Sequence, residues 1–334
     1  MGVTGGKAIV QLHPTRRCNL SCRHCYSLSG PRVSETTPPP LLMDLMTDAA
    51  GLGFDVVGVS GGEPLLYPGL VPLLRTAKQA GLRTTVTSNA MLLTERRLAE
   101  LAGLVDVLAI SLDGRPDTHV EMRGDPRAFV MLDRRMEGVR RSGIPFGFIT
   151  TLTQHNVDEL EFVVAYARDH GAGLVQVHPL ELEGAAVANL PGSVPDLRES
   201  AFGVLEGARL SASYGVPVQV DVARLADLES RPDLFLAASP ATSASLSTWL
   251  SPVVVETDGT VVPLTYGFPR AYALGNLHDR PLADLAATWN PTGFLRVTAA
   301  VADRIRSDRR SLFNWYDEVT RQARLAVHPV GSST

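Results

Sequence analysis

The sequence predicts an α/β protein: a partial (β/α)6 barrel with a small C-terminal α/β extension. Three observations carry that expectation. Six short runs rich in β-branched residues, at 8–13, 55–60, 83–87, 106–112, 146–151 and 174–177, alternate with amphipathic stretches. A strand followed by a helix, repeated, implies parallel strands joined by right-handed crossovers. Short polar motifs follow the first four runs, and in a barrel the loops after the strands share one mouth. Beyond Leu180 the alternation weakens, which divides the chain into residues 1–213, the barrel, and 214–334, the extension.

Each element has a local reason. The run 8–13 leads into CNLSCRHCY, and a helix near 41–50 precedes the second run, which ends on Gly61-Gly62-Glu63-Pro64. The third ends on Ser88-Asn89-Ala90, followed by TERRLAELAGL, which opens on the cap Thr94. The fourth ends on SLDG (111–114), and NVDELEFVVAYARDHG between the fifth and sixth stops on a glycine. ELEGAAVANLPGSVPD reads as a loop, 197–212 as a helix and VPVQVDV as one more strand. Asp258-Gly259 between the apolar arms of SPVVVETDGTVVPL signals a hairpin. RSLFNWYDEVTRQARLA reads as a surface helix with aromatics packed beneath it.

Composition narrows the function. Hydrophobic residues at 45% and charged ones at 20% describe a globular chain with ample core. A net charge of -4 with no basic block gives no footprint for nucleic acid. MGVTGGKAIVQLHP lacks the features of a secretory signal, and no stretch approaches the roughly 18 apolar residues of a membrane span. A cytoplasmic protein without membrane contact is expected. Lysine occurs only at Lys7 and Lys78, which leaves few candidates for Schiff-base chemistry.

All three cysteines of the 334-residue chain, Cys18, Cys22 and Cys25, lie within eight positions. An odd number with no partner elsewhere is not a disulfide framework. Two metal centres fit. Zinc wants four ligands, and His24 or His13 would complete the set, although His24 lies between two ligands of one tight loop. An iron-sulfur cubane normally takes four thiolates, so three leave one iron open to an outside ligand.

The spacing Cys18-x3-Cys22-x2-Cys25, set in TRRCNLSCRHCY after a first strand, resembles the signature of the radical S-adenosylmethionine (radical SAM) superfamily. The resemblance implies that the three cysteines hold a [4Fe-4S] cluster whose fourth iron is chelated by the amino and carboxylate groups of S-adenosyl-L-methionine (SAM). One electron then cleaves the sulfonium to methionine and a 5'-deoxyadenosyl radical, which abstracts a substrate hydrogen. GGEP is similar to the family's glycine-rich turn, which implies Gly61, Gly62 and Glu63 at the methionine amino group. Ser88 and Asn89 stand where the family contacts ribose or carboxylate. SLDGRPDTHVEMRG resembles the stretch that places Ser111 near the ribose and Arg123 on the carboxylate. By the same resemblance His24 lies beside the adenine and Leu180 packs on that base. Plainer readings compete: a βα turn for GGEP, a helix cap for Ser88 and Asn89, a solvated Arg123 and a core Leu180.

From about Ala8 to Trp289 the chain is similar to the branch named for its SPASM domain, or the shorter twitch version, which matures peptides. In that branch cysteines after the hairpin bind auxiliary clusters; here Leu264 follows Pro263 and no cysteine comes later. A single cluster is therefore expected. A cysteine hydrogen donor is excluded, and Tyr26, Tyr67 and Tyr266 remain as alternatives. The resemblance implies an enzyme of oxidoreductase or lyase type in natural-product biosynthesis, acting on a ribosomally made peptide and fed by an external one-electron reductant of flavodoxin or ferredoxin type. A small sugar, nucleoside or amino-acid metabolite is the alternative substrate. Glycyl-radical activation and a non-catalytic metal-binding role are further readings. Glu181, Asp221 and Asp258 are placed too ambiguously to name a general base.

Overall fold

The computed structural model describes residues 8–236 and 245–327. Strands β1 (Ile9–Leu12), β2 (Val56–Val59), β3 (Arg83–Ser88), β4 (Val107–Ser111), β5 (Phe146–Leu152) and β6 (Val175–Pro179) pair in parallel in chain order. The helices between them are α1 (Pro39–Gly51), α2 (Leu70–Gln79), α3 (Glu95–Leu101), α4 (Pro116–Arg123), α5 (Ala128–Ser142) and α6 (Leu160–His170). The β-strand runs expected from the sequence are all present, with ends shifted by a residue or two.

The helices show why the pattern was readable. On α2 the residues Leu70, Leu73, Leu74 and Ala77 recur at helical spacing and are all buried. Thr94 Oγ1 accepts the Arg97 N–H and so opens α3. Gly171, at φ +77°, ends α6. Each fully buried leucine of this kind contributes about 2 kcal/mol of transfer free energy.

Past β6 lie α7 (Ala186–Asn189), a single turn inside the expected loop, and α8 (Leu197–Tyr214) with a capping box of Asp196 and Glu199. VPVQVDV supplies β7 (Val218–Val220), parallel to β6. β8 (Ala223–Arg224), α9 (Leu225–Ser230), β9 (Val253–Val255), β10 (Thr260–Pro263), β11 (Gly275–Asn276), α10 (Leu282–Thr288), α11 (Thr292–Ser307), β12 (Leu312–Phe313) and α12 (Trp315–Val327) complete the described chain.

The expected hairpin is β9–β10. Gly259 takes φ +83° in its turn and Asp258 Oδ1 accepts the Thr260 N–H. β9 lies parallel against the free edge of β1, Val10 opposite Val253 and Leu12 opposite Val255. The main sheet therefore reads β11-β10-β9-β1-β2-β3-β4-β5-β6-β7. Segments on both sides of residue 213 contribute strands to it, and the hairpin borders the strand that leads into the cysteine loop. α12 packs its aromatics inward as expected: Trp315 is buried against Phe235 with ring centroids 5.3 Å apart. No helix among the described residues is long and apolar enough to cross a membrane.

Candidate functional site

The carboxyl ends of β1 to β4 converge on one cavity of about 110 Å³. Cys18, Cys22 and Cys25 line it, with His24, Gly61, Gly62, Glu63, Ser88, Asn89, Ser111 and Arg123. Of the residues singled out from the sequence, Leu180 is not brought there. It lies one residue past the end of β6 and packs with Met122, Ala186 and Leu190 in a small separate apolar cluster.

Bare backbone explains how the loops come together. The Gly62 N–H donates to Thr15 O at 2.7 Å and the Glu63 N–H to Arg17 O at 3.0 Å, stitching the GGE turn to the start of the cysteine loop. A Cβ on Gly62 would stand 2.2 Å from Arg17 O, and Gly61 takes φ +104°. No larger residue fits that approach. On the far side Gly124, at φ +69°, packs so that a Cβ would meet Ser21 O at 2.6 Å. The cysteine loop is thus wedged between the loops that follow β2 and α4.

Glu63 is buried, and all its contacts are made within the protein. Oε1 accepts from Ser88 Oγ at 2.9 Å and from the Leu65 N–H at 3.2 Å; Oε2 accepts from the Asn89 N–H at 3.0 Å. Burial pushes its carboxyl up to about 7, moderated by those three donors. Asn89 Nδ2 reaches Asn19 Oδ1 at 2.9 Å and stands 3.9 Å from Cys18 Sγ. The helix that follows is capped by Thr94. Ser88 and Asn89 therefore join the GGE turn to the cysteine loop rather than capping α3.

The thiols are free. Cys18 Sγ accepts the Leu20 N–H and Cys25 Sγ the Ser29 N–H. Burial, then the charge of Glu63, pushes the Cys18 thiol up to about 12. Burial pushes Cys22 to about 11, eased by Arg123, whose Nη1 lies 3.9 Å from its sulfur. Thiols so placed stay protonated at neutral pH unless a cation takes them as thiolates. Among the described residues no three His, Cys, Asp or Glu side chains close on a single ion-sized point. His24, whose Nδ1 has no hydrogen-bond partner, shares the cavity; His13 is buried outside its lining, between Tyr26 and Tyr266.

Arg123 is buried, not solvated. Its Nε meets Asp113 Oδ2 at 2.6 Å, with Asp113 fully buried. Burial alone would raise the Asp113 carboxyl, but the guanidinium overrides it and holds the group down at about 2. Sequence reasoning gave Asp113 no role, although it stood inside the quoted SLDG; its position in that motif was the available signal. Ser60 and Thr87 were also missed as lining residues.

Of the other candidates, Tyr26 alone reaches the cavity. Tyr26 lines the cavity and is 43% exposed, whereas Tyr67 is buried and donates to Thr37 O. Glu181 bonds Asn314 Nδ2, Asp221 pairs with His178, and Asp258 sits in the hairpin turn; none lines the cavity. Lys78 is tied to both carboxylate oxygens of Asp106 on the outer helix α2, and Lys7 lies outside the described residues.

Comparison with known proteins adds to this geometry. The chain is 31% identical over 178 residues to an AdoMet-dependent heme synthase of Methanosarcina barkeri, covering 52% of this chain and 50% of the relative. It is 26% identical over 297 residues to Fe-coproporphyrin III synthase of the same organism, covering 84% and 73%. A PqqA peptide cyclase of Ruegeria pomeroyi is 32% identical over 187 residues, covering 54% and 49%. The chain thus spans about half the length of most curated relatives it matches. Among solved structures, native anSMEcpe with bound AdoMet and Cp18Cys peptide superposes with TM-score 0.70 at 15% identity, covering 96% of each chain. Streptococcus suis SuiB bound to S-adenosylmethionine superposes with TM-score 0.68 at 16% identity, covering 87% of this chain and 68% of SuiB. Both likenesses are of fold. Residues 12–167, from the last residue of β1 into α6, match the family model described as Radical SAM superfamily, and this segment is a radical SAM domain.

Proposed function

We propose that this chain is a radical SAM enzyme that modifies a ribosomally made peptide. One observation carries the reading: three free thiols face the same cavity as the GGE turn, Ser88, Asn89, Ser111 and Arg123. The donor set fits a [4Fe-4S] cluster with SAM. Three thiols line one cavity, and a buried guanidinium beside Cys22 offers a partner for a carboxylate. When bound, that pair supplies a 5'-deoxyadenosyl radical from one electron, delivered by an outside reductant.

The protein's own residues then have separate tasks. Cys18, Cys22 and Cys25 hold the cluster, and Arg123 pairs with the carboxylate of SAM through its fork. Gly61 and Gly62 keep backbone close to the methionine end. Glu63, held by three donors, fixes the distance between that turn and Ser88-Asn89. His24 flanks the adenine and Ser111 the ribose, while Leu180 packs with Met122 outside the cavity lining. Leu264 after the hairpin, where the resembling branch carries a cysteine, favours a single cluster in this segment.

Peptide is favoured as substrate by the PqqA peptide cyclase relative and by the shared fold with SuiB and anSMEcpe. The second reading is a tetrapyrrole, favoured by the long match to Fe-coproporphyrin III synthase. Anaerobic reconstitution should give about four irons and four sulfides per chain, and dithionite with SAM should release 5'-deoxyadenosine. Zinc alone, completed by His24, would end the enzyme reading. Deuterium transfer into 5'-deoxyadenosine from labelled peptide, and not from labelled coproporphyrin, would decide the substrate class.

A further inference from the structure

Arg123 is the last residue of α4, and it has two neighbours of opposite kind. Its Nε end faces Asp113 at 2.6 Å, and its Nη1 end faces the cavity, 3.9 Å from Cys22 Sγ. Asp113 lies two residues past the end of β4 and is itself fixed. Oδ1 accepts the Thr151 N–H of β5 at 3.1 Å, its backbone carbonyl accepts Asn156 Nδ2 at 2.7 Å, and its N–H donates to His119 Nδ1 at 3.2 Å. A ring nitrogen that accepts carries no proton, so His119 is neutral in this arrangement and Arg123 is the cation balancing Asp113. Neither charge reaches solvent freely.

The Nε–Oδ2 approach is an ion pair without hydrogen-bond alignment, so Asp113 holds the guanidinium by charge at its Nε end and leaves the terminal nitrogens of the fork to other partners. We infer that Asp113 is the positioning residue for SAM recognition: its buried carboxylate holds the Nε end of Arg123 by an ion pair and so keeps the terminal nitrogens on the cavity side, where the carboxylate of the methionine moiety can meet them. The inference rests on the SAM-binding reading and adds a residue outside the cavity lining. Asp113 is not among the residues that line the cavity; it acts through Arg123. The arrangement also explains why a cation is tolerated in this interior: it arrives already paired, and the ligand carboxylate shares it. Without the clamp, a long flexible side chain loses its orientation, and binding then costs the entropy of ordering it.

The test compares SAM with decarboxylated SAM, which differ by the group Arg123 is held to recognise. Binding of each to anaerobically reconstituted protein is measured by equilibrium titration, with iron and sulfide content and circular dichroism recorded in parallel. Wild type should bind SAM at least tenfold more tightly than decarboxylated SAM. In Asp113→Asn that preference should fall toward one, with cluster content unchanged. In an Arg123→Ala background, Asp113→Asn should add nothing to the loss. A merely structural Asp113 would weaken both ligands alike and leave the preference intact, overturning the inference. Should Asp113→Asn fail to fold, Arg123→Lys decides. It keeps charge balance but has one nitrogen, which Asp113 occupies, so the preference should again collapse; a retained preference contradicts the clamp. Wild type that binds no cluster or no SAM would refute the enzyme reading itself, a different outcome from a wild-type-like preference in Asp113→Asn.

Discussion

Two buried carboxylates, each held by arginine, lie in different regions of this molecule. Asp113 meets Arg123 at the end of β4, and the pair adjoins a cavity lined by thiols. Glu318, on α12, is gripped by Arg304 at 2.7 Å and by Arg310 and Arg321 at 2.5 Å, and none of these four lines the thiol cavity. The first guanidinium is nearly enclosed; the other three side chains are 30%, 36% and 52% exposed. Chemistry alone does not separate functional from structural ion pairs. What separates them is whether the cation has an unfilled side facing a space a ligand can enter. Glu318 gathers its arginines toward solvent and, through Arg304, ties α12 to α11, whereas Asp113 holds one end of Arg123 and leaves the other beside the thiols.

The contrast breaks most severely at the cysteine loop. Cys22→Ala should abolish cluster incorporation and SAM cleavage, read as iron content and 5'-deoxyadenosine, while leaving the thermal midpoint of the apoprotein nearly unchanged. Gly62→Ala should come next. Its Cβ would meet Arg17 O at 2.2 Å, so the loop must shift and cluster loading should fall severalfold. Gly143→Ala, at φ +69° with open space around it, should cost about 1 kcal/mol by denaturant titration and leave loading intact.

Glu318→Gln belongs to the other side of the contrast. It should lower stability by about 1–3 kcal/mol, less than a fully buried pair because the arginines reach solvent, with SAM affinity of the folded protein unaltered. The smallest effect is a pH dependence at Glu181. Burial, then Asp317, pushes its carboxyl up to about 7. The folded state therefore favours the neutral acid: that contribution is whole below the unfolded value near 4.5 and is lost as pH rises through about 7. Denaturant midpoints of wild type should decline from pH 5 to 8, and Glu181→Gln should flatten that slope.

The sequence disclosed much of this because local rules govern it. Parallel strands are β-branched runs between amphipathic helices, Thr94 and Gly171 mark helix ends, and Asp258-Gly259 marks a turn; each signal lies within a few residues. The cysteine spacing is equally local. What stayed hidden depends on chain paths that periodicity does not encode. Asp113 matters because α4 returns Arg123 to it ten residues later. Leu180 looked like a cavity residue, but β6 ends one position earlier and turns that side chain toward Met122 and Ala186. The hairpin was legible, whereas its addition to the free edge of β1 was not, since that pairing joins residues more than two hundred positions apart.

Mössbauer spectroscopy of the anaerobically reconstituted, iron-57-labelled protein, recorded with and without SAM, tests the central claim most directly. A cluster bound through three thiols should show one iron of the four shifting to a higher isomer shift when SAM is added. Four equivalent irons untouched by SAM, or zinc in place of iron, would contradict the account.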